Sequence, residues 1–329
     1  RPQFTLPGNM SACRSTPVSV QATINPQPSE LGLDPHSYIV CSGTPQALVI
    51  PGAKYITGSF HSIFTDNFET FPSPNFVASG SKIIPTASTG YYASGSQAVW
   101  LKYIDGATNL TSNNNAYVMQ NNFDMSSYGA AQLSFSHICG LEDPVNAFDA
   151  GYVQYSNDGG LSWYNFADSP YLGSGSLVTT VNGAPVTGVV FSSKSYPEWA
   201  AAFYSTSATP GTAPATDMWK QELIQIPAFA MTSQFKLRFV ITNDAAVAYY
   251  GWLIDNIQIK AYSLAQAPVT WSPNGIGSGL FTDAAGTLPY FGTPAVTVYA
   301  QPSAPTTYTV QSSVGGACGV QNPPIPGWD

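Results

Sequence analysis

Apolar and polar residues alternate over short runs of this chain, and a helical period of 3.6 residues is almost absent. Alternating runs bounded by Gly, Pro, Asn and Asp are the pattern of β-strands. The clearest predicted strands are seven segments, at 46–50, 98–103, 131–137, 151–155, 235–241, 252–259 and 306–311. One short helix is predicted over Pro197–Phe203. Many short strands with almost no helix indicate an all-β protein made of sandwiches or barrels.

Composition narrows the class of protein. Only 9% of the 329 residues are charged, the net charge is −8, and 44% of the residues are hydrophobic. An ordinary globular protein has about 25% charged residues, so hydroxyl and amide groups solvate this surface, as in exported β-proteins. An acidic chain without Lys/Arg clusters is unsuited to nucleic acid or anionic membranes. The apolar content argues against disorder, and no run of 18 apolar residues exists that would span a membrane.

The first residues and the cysteines indicate an exported protein. The chain begins Arg1-Pro2 with neither Met nor a signal segment, so we read it as a mature or excised piece of a longer secreted product. Four cysteines in such a chain favour disulfides, and the sequence allows three pairings of Cys13, Cys41, Cys139 and Cys318. No Cys-x-x-Cys spacing is present, which argues against a zinc site of the finger type.

Motifs near the two ends of the chain resemble one known kind of repeat. The segment Cys41-Ser-Gly-Thr-Pro-Gln-Ala-Leu48 is followed, after residues 49–268, by Val269-Thr-Trp-Ser-Pro273, then by Pro305-Thr-Thr-Tyr-Thr-Val310 and Cys318. Together they resemble the Ig-like repeats of large surface proteins of gliding, type IX-secreting Bacteroidota. Those repeats carry the motifs close together, so the resemblance implies an Ig-like sandwich interrupted by an inserted domain. Insertion is tolerated where the two ends of the guest lie close together.

This resemblance implies the domain boundaries. Residues 34–58 plus 264–322 form the discontinuous Ig-like domain, and residues 59–263 form the inserted domain. Residues 1–33 are a Pro-rich connector or the tail strand of a preceding repeat, and residues 323–329 are a linker to a following segment.

The same resemblance implies roles for particular residues of the host domain. Cys41 and Cys318 pair across the insertion, and Trp271 is a core residue of the host sandwich. Cys139 is then left as a buried free thiol or as a partner of Cys13.

The middle of the chain carries a second resemblance. Phe64-Thr-Asp-Asn-Phe-Glu69 opens this block, Tyr152-Val-Gln-Tyr-Ser-Asn-Asp-Gly-Gly-Leu-Ser-Trp163 lies within it, and Trp252-Leu-Ile-Asp-Asn-Ile257 nearly closes it. This order resembles the jelly-roll family that includes reelin repeats, MAM domains and many bacterial carbohydrate-binding modules. The full fold expectation is therefore a jelly-roll β-sandwich inserted into a discontinuous Ig-like β-sandwich.

Within this block, Ser156, Asp158, Gly160 and Trp163 fit the Asp-box pattern Ser-x-Asp-x-Gly-x-x-Trp. The Asp side chain accepts hydrogen bonds from backbone N–H groups, Gly permits a positive φ, and Trp packs beneath the turn. The pattern predicts a structural hairpin rather than the chemistry of a sialidase.

The jelly-roll resemblance also implies a structural calcium site. In such relatives calcium often lies where the first and last strands meet, which here brings in Asp66, Glu69 and Asp255. Carboxylate oxygens are ligands that Ca²⁺ prefers. Asp66 and Glu69 are three positions apart and face opposite sides of a regular strand, so Glu69 and Asp255 are the favoured pair. The alternative role of Asp255 is to cap backbone N–H groups at a strand end.

Aromatic side chains in loops are the candidates for binding a ligand. Sugar sites combine aromatic ring faces with polar groups that bind hydroxyls, and the predicted ligand-binding residues are Trp199, Tyr204, Trp219 and Tyr250. No GxSxG, HExxH or phosphate-binding loop is present, so we expect no catalytic residues and no enzyme activity.

These patterns predict a non-catalytic repeat segment of a large, secreted cell-surface adhesin or filament, which acts in attachment or gliding through many weak contacts. The expected partners are a surface polysaccharide or other glycan, neighbouring repeats of the same protein, and further copies through self-assembly. Nucleic acid and the membrane interior are not expected partners. The alternative function is a carbohydrate-binding accessory module of a secreted hydrolase.

Overall fold

Nearly all of the regular secondary structure in the described residues is β-strand. The structure is a computed structural model that describes residues 44–49, 54–80, 82–103, 115–143, 147–169, 171–203, 212–244, 249–304, 306 and 308–312. Within these ranges there is one α-helix, α1 (Pro197–Phe203), and two short 3-10 turns at Thr216–Met218 and Ala228–Ala230. That helix has seven residues, so no helix of the described ranges is long enough to cross a membrane. The expectation of an all-β fold is confirmed.

The strands of the described ranges follow one another along the chain with short connections. In chain order they are β1 (Gln46–Val49), β2 (Lys54–Asp66), β3 (Phe76–Ser79), β4 (Ile83–Ser88), β5 (Ala98–Tyr103), β6 (Ala116–Met119), β7 (Tyr128–Gly140), β8 (Ala150–Ser156), β9 (Tyr164–Asn165), β10 (Thr180–Val181), β11 (Ala184–Pro185), β12 (Val190–Phe191), β13 (Lys220–Ile226), β14 (Lys236–Thr242), β15 (Gly251–Gln266), β16 (Val269–Ser272), β17 (Leu280–Phe281), β18 (Thr297–Ala300) and β19 (Thr309–Ser312).

Two six-stranded antiparallel sheets form a large β-sandwich. Sheet 1 has the order β13-β7-β15-β5-β4, and β2 also pairs with β15. Sheet 2 has the order β12-β8-β14-β6-β3, and β9 also pairs with β8. Aromatic rings of the two sheets meet in the core, where Phe135 lies 5.2 Å from Phe239 and Phe239 lies 5.5 Å from Trp252, measured between ring centroids. Burying a Phe side chain contributes roughly 1.5–3 kcal/mol, so this aromatic layer supplies much of the driving force for folding.

Both ends of the described chain build a second, smaller core. β18 pairs with β1 on one side and with β17 on the other, and β16 pairs with β19. Leu48, Trp271, Tyr290 and Val298 are buried together between these strands. The indole N–H of Trp271 donates a hydrogen bond to the carbonyl of Ala295 at 2.8 Å. Residues near position 48 and residues near position 300 therefore share one hydrophobic cluster.

The two long strands β2 and β15 run from one core to the other. They pair from Asp66 opposite Ile257 to Lys54 opposite Gln266, with two register shifts on the way. Phe64 packs against the large core, whereas Tyr55, on the same strand, packs against the small core. The chain thus enters and leaves the large sandwich on neighbouring strands.

The seven predicted segments fall on β1, β5, β7, β8, β14, β15 and β19, and the other described strands were not among them. The helix and the strand at 98–103 have the predicted bounds. β15 is longer than the predicted 252–259, and β2, the opening strand of the jelly-roll resemblance, ends at Asp66 and does not include Glu69. β2 has no regular alternation of buried and exposed positions, because its residues lie partly between the two cores.

We propose that residues 54–266 are a folding unit inserted into the small sandwich. The fragment 54–266, expressed alone, is expected to unfold in one cooperative urea transition, because it keeps both sheets and the whole large core. The control fragment 67–250 lacks β2 and β15 and is expected to remain unfolded, since β15 joins β5 to β7 in sheet 1. A cooperative transition in the control, or none in the longer fragment, would contradict the division.

Candidate functional site

One turn, residues 93–97, receives two carboxylates, one from the last strand of the large sandwich and one from the segment that follows its first strand. Asp255 is buried and accepts hydrogen bonds from the backbone N–H groups of Ala93 at 2.9 Å and Ser94 at 3.2 Å. Glu69 is exposed and accepts from the Ser96 backbone at 2.9 Å and the Ser96 hydroxyl at 2.6 Å. Gly95 has a φ of +72°, and a Cβ there would overlap the Glu69 carboxylate. The turn therefore binds two carboxylates at once.

The backbone is bent beside both of these carboxylates. Phe68 and Asn256 have φ values of 54° and 52°, in the left-handed region, which a bulky residue such as Phe rarely occupies and Asn enters more readily. The bend at Phe68 separates Glu69 from the line of β2, which a regular strand would not do. Backbone strain of this kind costs about 1–3 kcal/mol per residue and concentrates at functional sites.

The pKa values of the two carboxylates at the 93–97 turn are shifted in opposite directions, and hydrogen bonds from Ser96 lower that of Glu69. Burial raises the pKa of Asp255, and the neighbouring charge of Glu69 raises it further, while the backbone N–H groups of Ser94 and Ala93 act in the opposite direction. The two carboxylates therefore repel one another in their ionised forms.

Asp66 lies apart from this pair. Its carboxylate accepts hydrogen bonds from the Phe68 backbone at 3.0 Å, the Ser73 hydroxyl at 2.6 Å and the Asn75 amide at 3.0 Å. It is buried and fixes the turn after β2. Asp66, Glu69 and Asp255 are not a group of three whose ligand atoms converge, so a site that uses all three together is not formed.

A different acidic group does converge. One carboxylate oxygen each of Glu142, Asp149 and Asp244 lie within 4.8 Å of one another, and no other three-membered set of such side chains in the described ranges is as close. Glu142 and Asp149 are buried. β8 begins just after Asp149, and β14, its neighbour in sheet 2, ends just before residues 243–244. An all-carboxylate set suits a hard cation such as Ca²⁺.

The predicted ligand-binding aromatics occupy different environments. Trp199 is fully buried, and its indole N–H donates to the Met218 carbonyl at 2.7 Å. It is a core residue, which corrects the expectation that it contacts a ligand. Trp219 and Tyr250 are partly buried against the large core, and the Tyr250 ring lies 5.6 Å from that of Phe203. Tyr204 lies outside the described residues.

The four Asp-box residues form a closed hydrogen-bonded turn after β8. The Asp158 carboxylate accepts the Ser156 hydroxyl at 2.7 Å and the Ser162 backbone N–H at 2.9 Å. The Gly160 N–H donates to the Ser156 hydroxyl oxygen, and the Trp163 indole donates to the Gly160 carbonyl at 3.0 Å. The Ser162 and Ser156 donors lower the pKa of Asp158 to about 2. The Arg238 guanidinium stacks 4.1 Å above the Trp163 ring.

The sequence alone did not reveal a buried network between β7 and β13. His137 and Glu222 are both fully buried, with the imidazole Nε2 2.9 Å from a Glu222 oxygen. The Trp252 indole is 3.0 Å from His137 Nδ1, and an indole N–H only donates. His137 Nδ1 is therefore the acceptor, and Nε2 carries the proton that it donates to Glu222. The hydroxyls of Tyr171 and Tyr196 donate to the same carboxylate.

Alternation along β13 was the signal that could have found this network. Glu222 occupies the inward position shared with Ile224 and Ile226, both of them core residues. The network is closed to solvent, and its hydrogen bonds hold an ionised carboxylate inside the sandwich. Burial raises the pKa of Glu222, but donation from His137 and the two tyrosines outweighs it, so the net pKa is lowered.

The cysteines of the predicted disulfide, Cys41 and Cys318, lie outside the described residues, as does Cys13. Cys139 is a buried free thiol on β7. Burial raises its pKa well above the ordinary value, which makes the thiol unreactive.

Comparison with known proteins identifies part of the chain. Residues 104–260 match the family model of reelin subrepeat B. No curated protein matches the sequence. The reelin part of the expected resemblance is confirmed for this segment, and the assignment to a type IX-secreted adhesin stays a prediction.

Three solved structures are similar in outline. The CBM22-1 xylan-binding domain of Paenibacillus barcinonensis Xyn10C is 12% identical, with 64% of this chain and 99% of that domain covered and a TM-score of 0.34. Caldicellulosiruptor saccharolyticus CBM27-1, solved with mannohexaose, is 14% identical, with 60% and 97% covered and a TM-score of 0.32. The K3 cleaved adhesin domain of Porphyromonas gingivalis Lys-gingipain is 15% identical, with 60% and 99% covered and a TM-score of 0.28.

The buried carboxylate of Glu222 is expected to be essential to the stability of the fold. Glu222→Ala leaves the His137 donor and two tyrosine hydroxyls unpaired in the core, and we expect a loss of about 3–5 kcal/mol in the free energy of unfolding. Urea denaturation measures it. The control is Glu198→Ala, whose exposed carboxylate pairs with Lys220 at 3.0 Å and is expected to cost less than about 1 kcal/mol.

The Glu222 carboxylate also makes the free energy of unfolding depend on pH. The pKa of Glu222 is lower in the folded state than in the unfolded state. The stability that Glu222 contributes is therefore fully present above the unfolded pKa and is lost as the pH falls through the folded pKa. Between pH 6 and pH 3, wild-type stability is therefore expected to fall more steeply than that of Glu222→Gln. Parallel pH profiles would show that Glu222 is not the group responsible.

Proposed function

We propose that this chain is a non-catalytic, extracellular segment of a large cell-surface adhesin or filament. The observation that carries the proposal is the small core. The strand after the CSGT motif, the TWSP strand and the TTYTV strand all contribute to it, and Trp271 pairs with Val310. These are the segments whose order resembles Ig-like repeats of Bacteroidota surface proteins. The match of residues 104–260 to reelin subrepeat B supports an extracellular setting.

The attachment partner proposed for this segment is a surface glycan. A surface with few charges and many hydroxyl and amide groups makes weak, polar contacts with hydroxylated ligands. Weak contacts become effective when many copies act together, because linkage raises the effective concentration. Neighbouring repeats and self-assembly would supply that linkage.

The second candidate is a carbohydrate-binding accessory module of a secreted hydrolase. The ring of Trp219 is partly exposed, which stacking against the face of a sugar requires. A site of this kind would bind one sugar strongly as a monomer.

Multivalency separates the two candidates. The chain is biotinylated at one end, and its binding to a glycan array is measured as a monomer and as a streptavidin tetramer. The adhesin proposal predicts weak monomer binding and a gain of about 10²–10⁴ on tetramerisation. Tight monomer binding to one sugar, lost in Trp219→Ala, would favour the accessory module. Absence of binding in both forms would contradict glycan attachment.

We further propose that a structural Ca²⁺ binds beside the 93–97 turn, held by Glu69 and Asp255. A cation there would offset the repulsion between the two carboxylates. Calcium that binds only the folded state stabilises it by about 2.7 kcal/mol at 100 times Kd.

The calcium proposal predicts a higher Tm in CaCl2 than in EGTA, and loss of that difference in Asp255→Asn. Asp149→Asn is the matched control, because it removes a carboxylate from the other acidic group. If Asp255→Asn keeps the Tm difference and Asp149→Asn loses it, the ion binds instead at Glu142, Asp149 and Asp244. No shift in the wild type would contradict a structural ion.

A further inference from the structure

Two aromatic rings are exposed at the surface of the large sandwich, and we call them the aromatic pair: Tyr164 of β9 and Phe229 of the turn Ala228–Ala230. Tyr164 is 46% exposed and Phe229 is 65% exposed. Their ring centroids lie 5.7 Å and 6.1 Å from that of Tyr155, which is buried on β8. One buried tyrosine therefore supports both exposed rings.

The angles between these rings leave aromatic surface open to a ligand. The rings of Tyr155 and Tyr164 meet at 32°, so Tyr155 partly covers one face of Tyr164 and leaves the opposite face toward solvent. Phe229 meets Tyr155 at 61°, in an edge arrangement that leaves most of the Phe229 ring uncovered. Flat aromatic faces that are open to solvent suit stacking against the C–H surface of a sugar ring.

Hydrogen bonds tie together the two chain segments that carry the aromatic pair. The Asn157 side chain, in the Asp-box turn, donates to the Phe229 carbonyl at 3.4 Å, and the Thr232 hydroxyl donates to the Asn157 carbonyl at 2.7 Å. The Gly159 N–H donates to the Gln234 carbonyl at 3.0 Å. The Asp-box turn leads directly into β9. Because both rings stand on braced backbone, a ligand that binds them has little chain to order.

The size of the exposed aromatic surface decides between the possible occupants. A whole aromatic side chain has about 150–250 Å² of surface, so the pair exposes about 200 Å² in total. A stable protein–protein interface buries about 800 Å² per partner, which is far more than the aromatic pair offers to a second copy of the chain. We infer that the aromatic pair stacks against the sugar rings of a glycan chain. This inference rests on the proposed glycan attachment and names the residues that perform it.

The inference is tested by affinity electrophoresis in gels that contain xylan or glucomannan. The wild-type chain is expected to be retarded in at least one of them. Tyr164→Leu/Phe229→Leu keeps an apolar side chain at both positions but removes the flat rings, and it should lower the association constant about tenfold or more. Tyr164→Phe/Phe229→Tyr keeps both rings and should keep most of the affinity.

The matched control is Phe291→Leu. Phe291 is 64% exposed, nearly the same as Phe229, but it lies between β17 and β18, away from the large sandwich. Its replacement is expected to leave the retardation unchanged. Tyr164 and Phe229 are not among the residues of the large core, so both double variants are expected to fold, and urea denaturation checks this. The single variant Phe229→Leu repeats the test at the more exposed position.

The outcomes separate the inference from the proposed function. Equal retardation of the wild type and the Leu variants would overturn the aromatic pair as the site and leave glycan attachment standing. A loss in Phe291→Leu as large as in the Leu double variant would also overturn it. So would a wild type that sediments as a dimer and dissociates in the Leu double variant, since a second copy would then occupy the pair. No retardation of the wild type in either gel would contradict glycan attachment itself, and the aromatic pair with it.

Discussion

The antiparallel pairing of β2 with β15 is the constraint on which the rest of the structure depends. β15 has sixteen residues, pairs with β2, β5 and β7, and continues to the small core. Its partner β2 begins at the small core through Tyr55 and ends in the large core through Phe64. A two-stranded connection resists bending and rotation more than a single linker, because ladder hydrogen bonds must break before the cores separate. The two cores are therefore joined by a paired ladder rather than by a single strand.

Negative charge in this protein is managed by hydrogen-bond donors rather than by cations. The chain has 18 acidic and ten basic residues, so its carboxylates outnumber the basic side chains that could pair with them. Asp66 accepts from a backbone N–H, a hydroxyl and an amide, and Glu222 accepts from an imidazole and two tyrosines. Asp255 instead shares a turn with Glu69 and keeps a raised pKa. Of these carboxylates, Asp255 is the one whose pKa stays raised, because the backbone donors of the 93–97 turn do not fully offset its burial and the nearby charge of Glu69.

Local sequence patterns predicted the helix and seven of the strands. They gave no information about contacts between residues that are far apart in the chain. The helix Pro197–Phe203 and the strand Ala98–Tyr103 follow from short-range periodicity. Trp199 was assigned to a ligand site as an aromatic residue outside the predicted strands, yet its ring packs 4.9 Å from His137, more than sixty positions earlier in the chain. The Glu222–His137 pair and the Glu142, Asp149 and Asp244 group depend equally on sheet register, which one sequence does not specify.

The low charge content of the chain shows in the interior of the large sandwich and on the outer face of sheet 1 alike. Inside the sandwich, a charge-poor chain uses hydroxyl, imidazole and amide donors to hold its few ions. The outward positions of β13 carry amides such as Gln221 and Gln225, where other proteins often place Lys and Glu. An amide desolvates at lower cost than an ion, so it suits contact with neutral hydroxyl groups, and each contact is weak. Weak contacts of this kind gain strength when several of them act together.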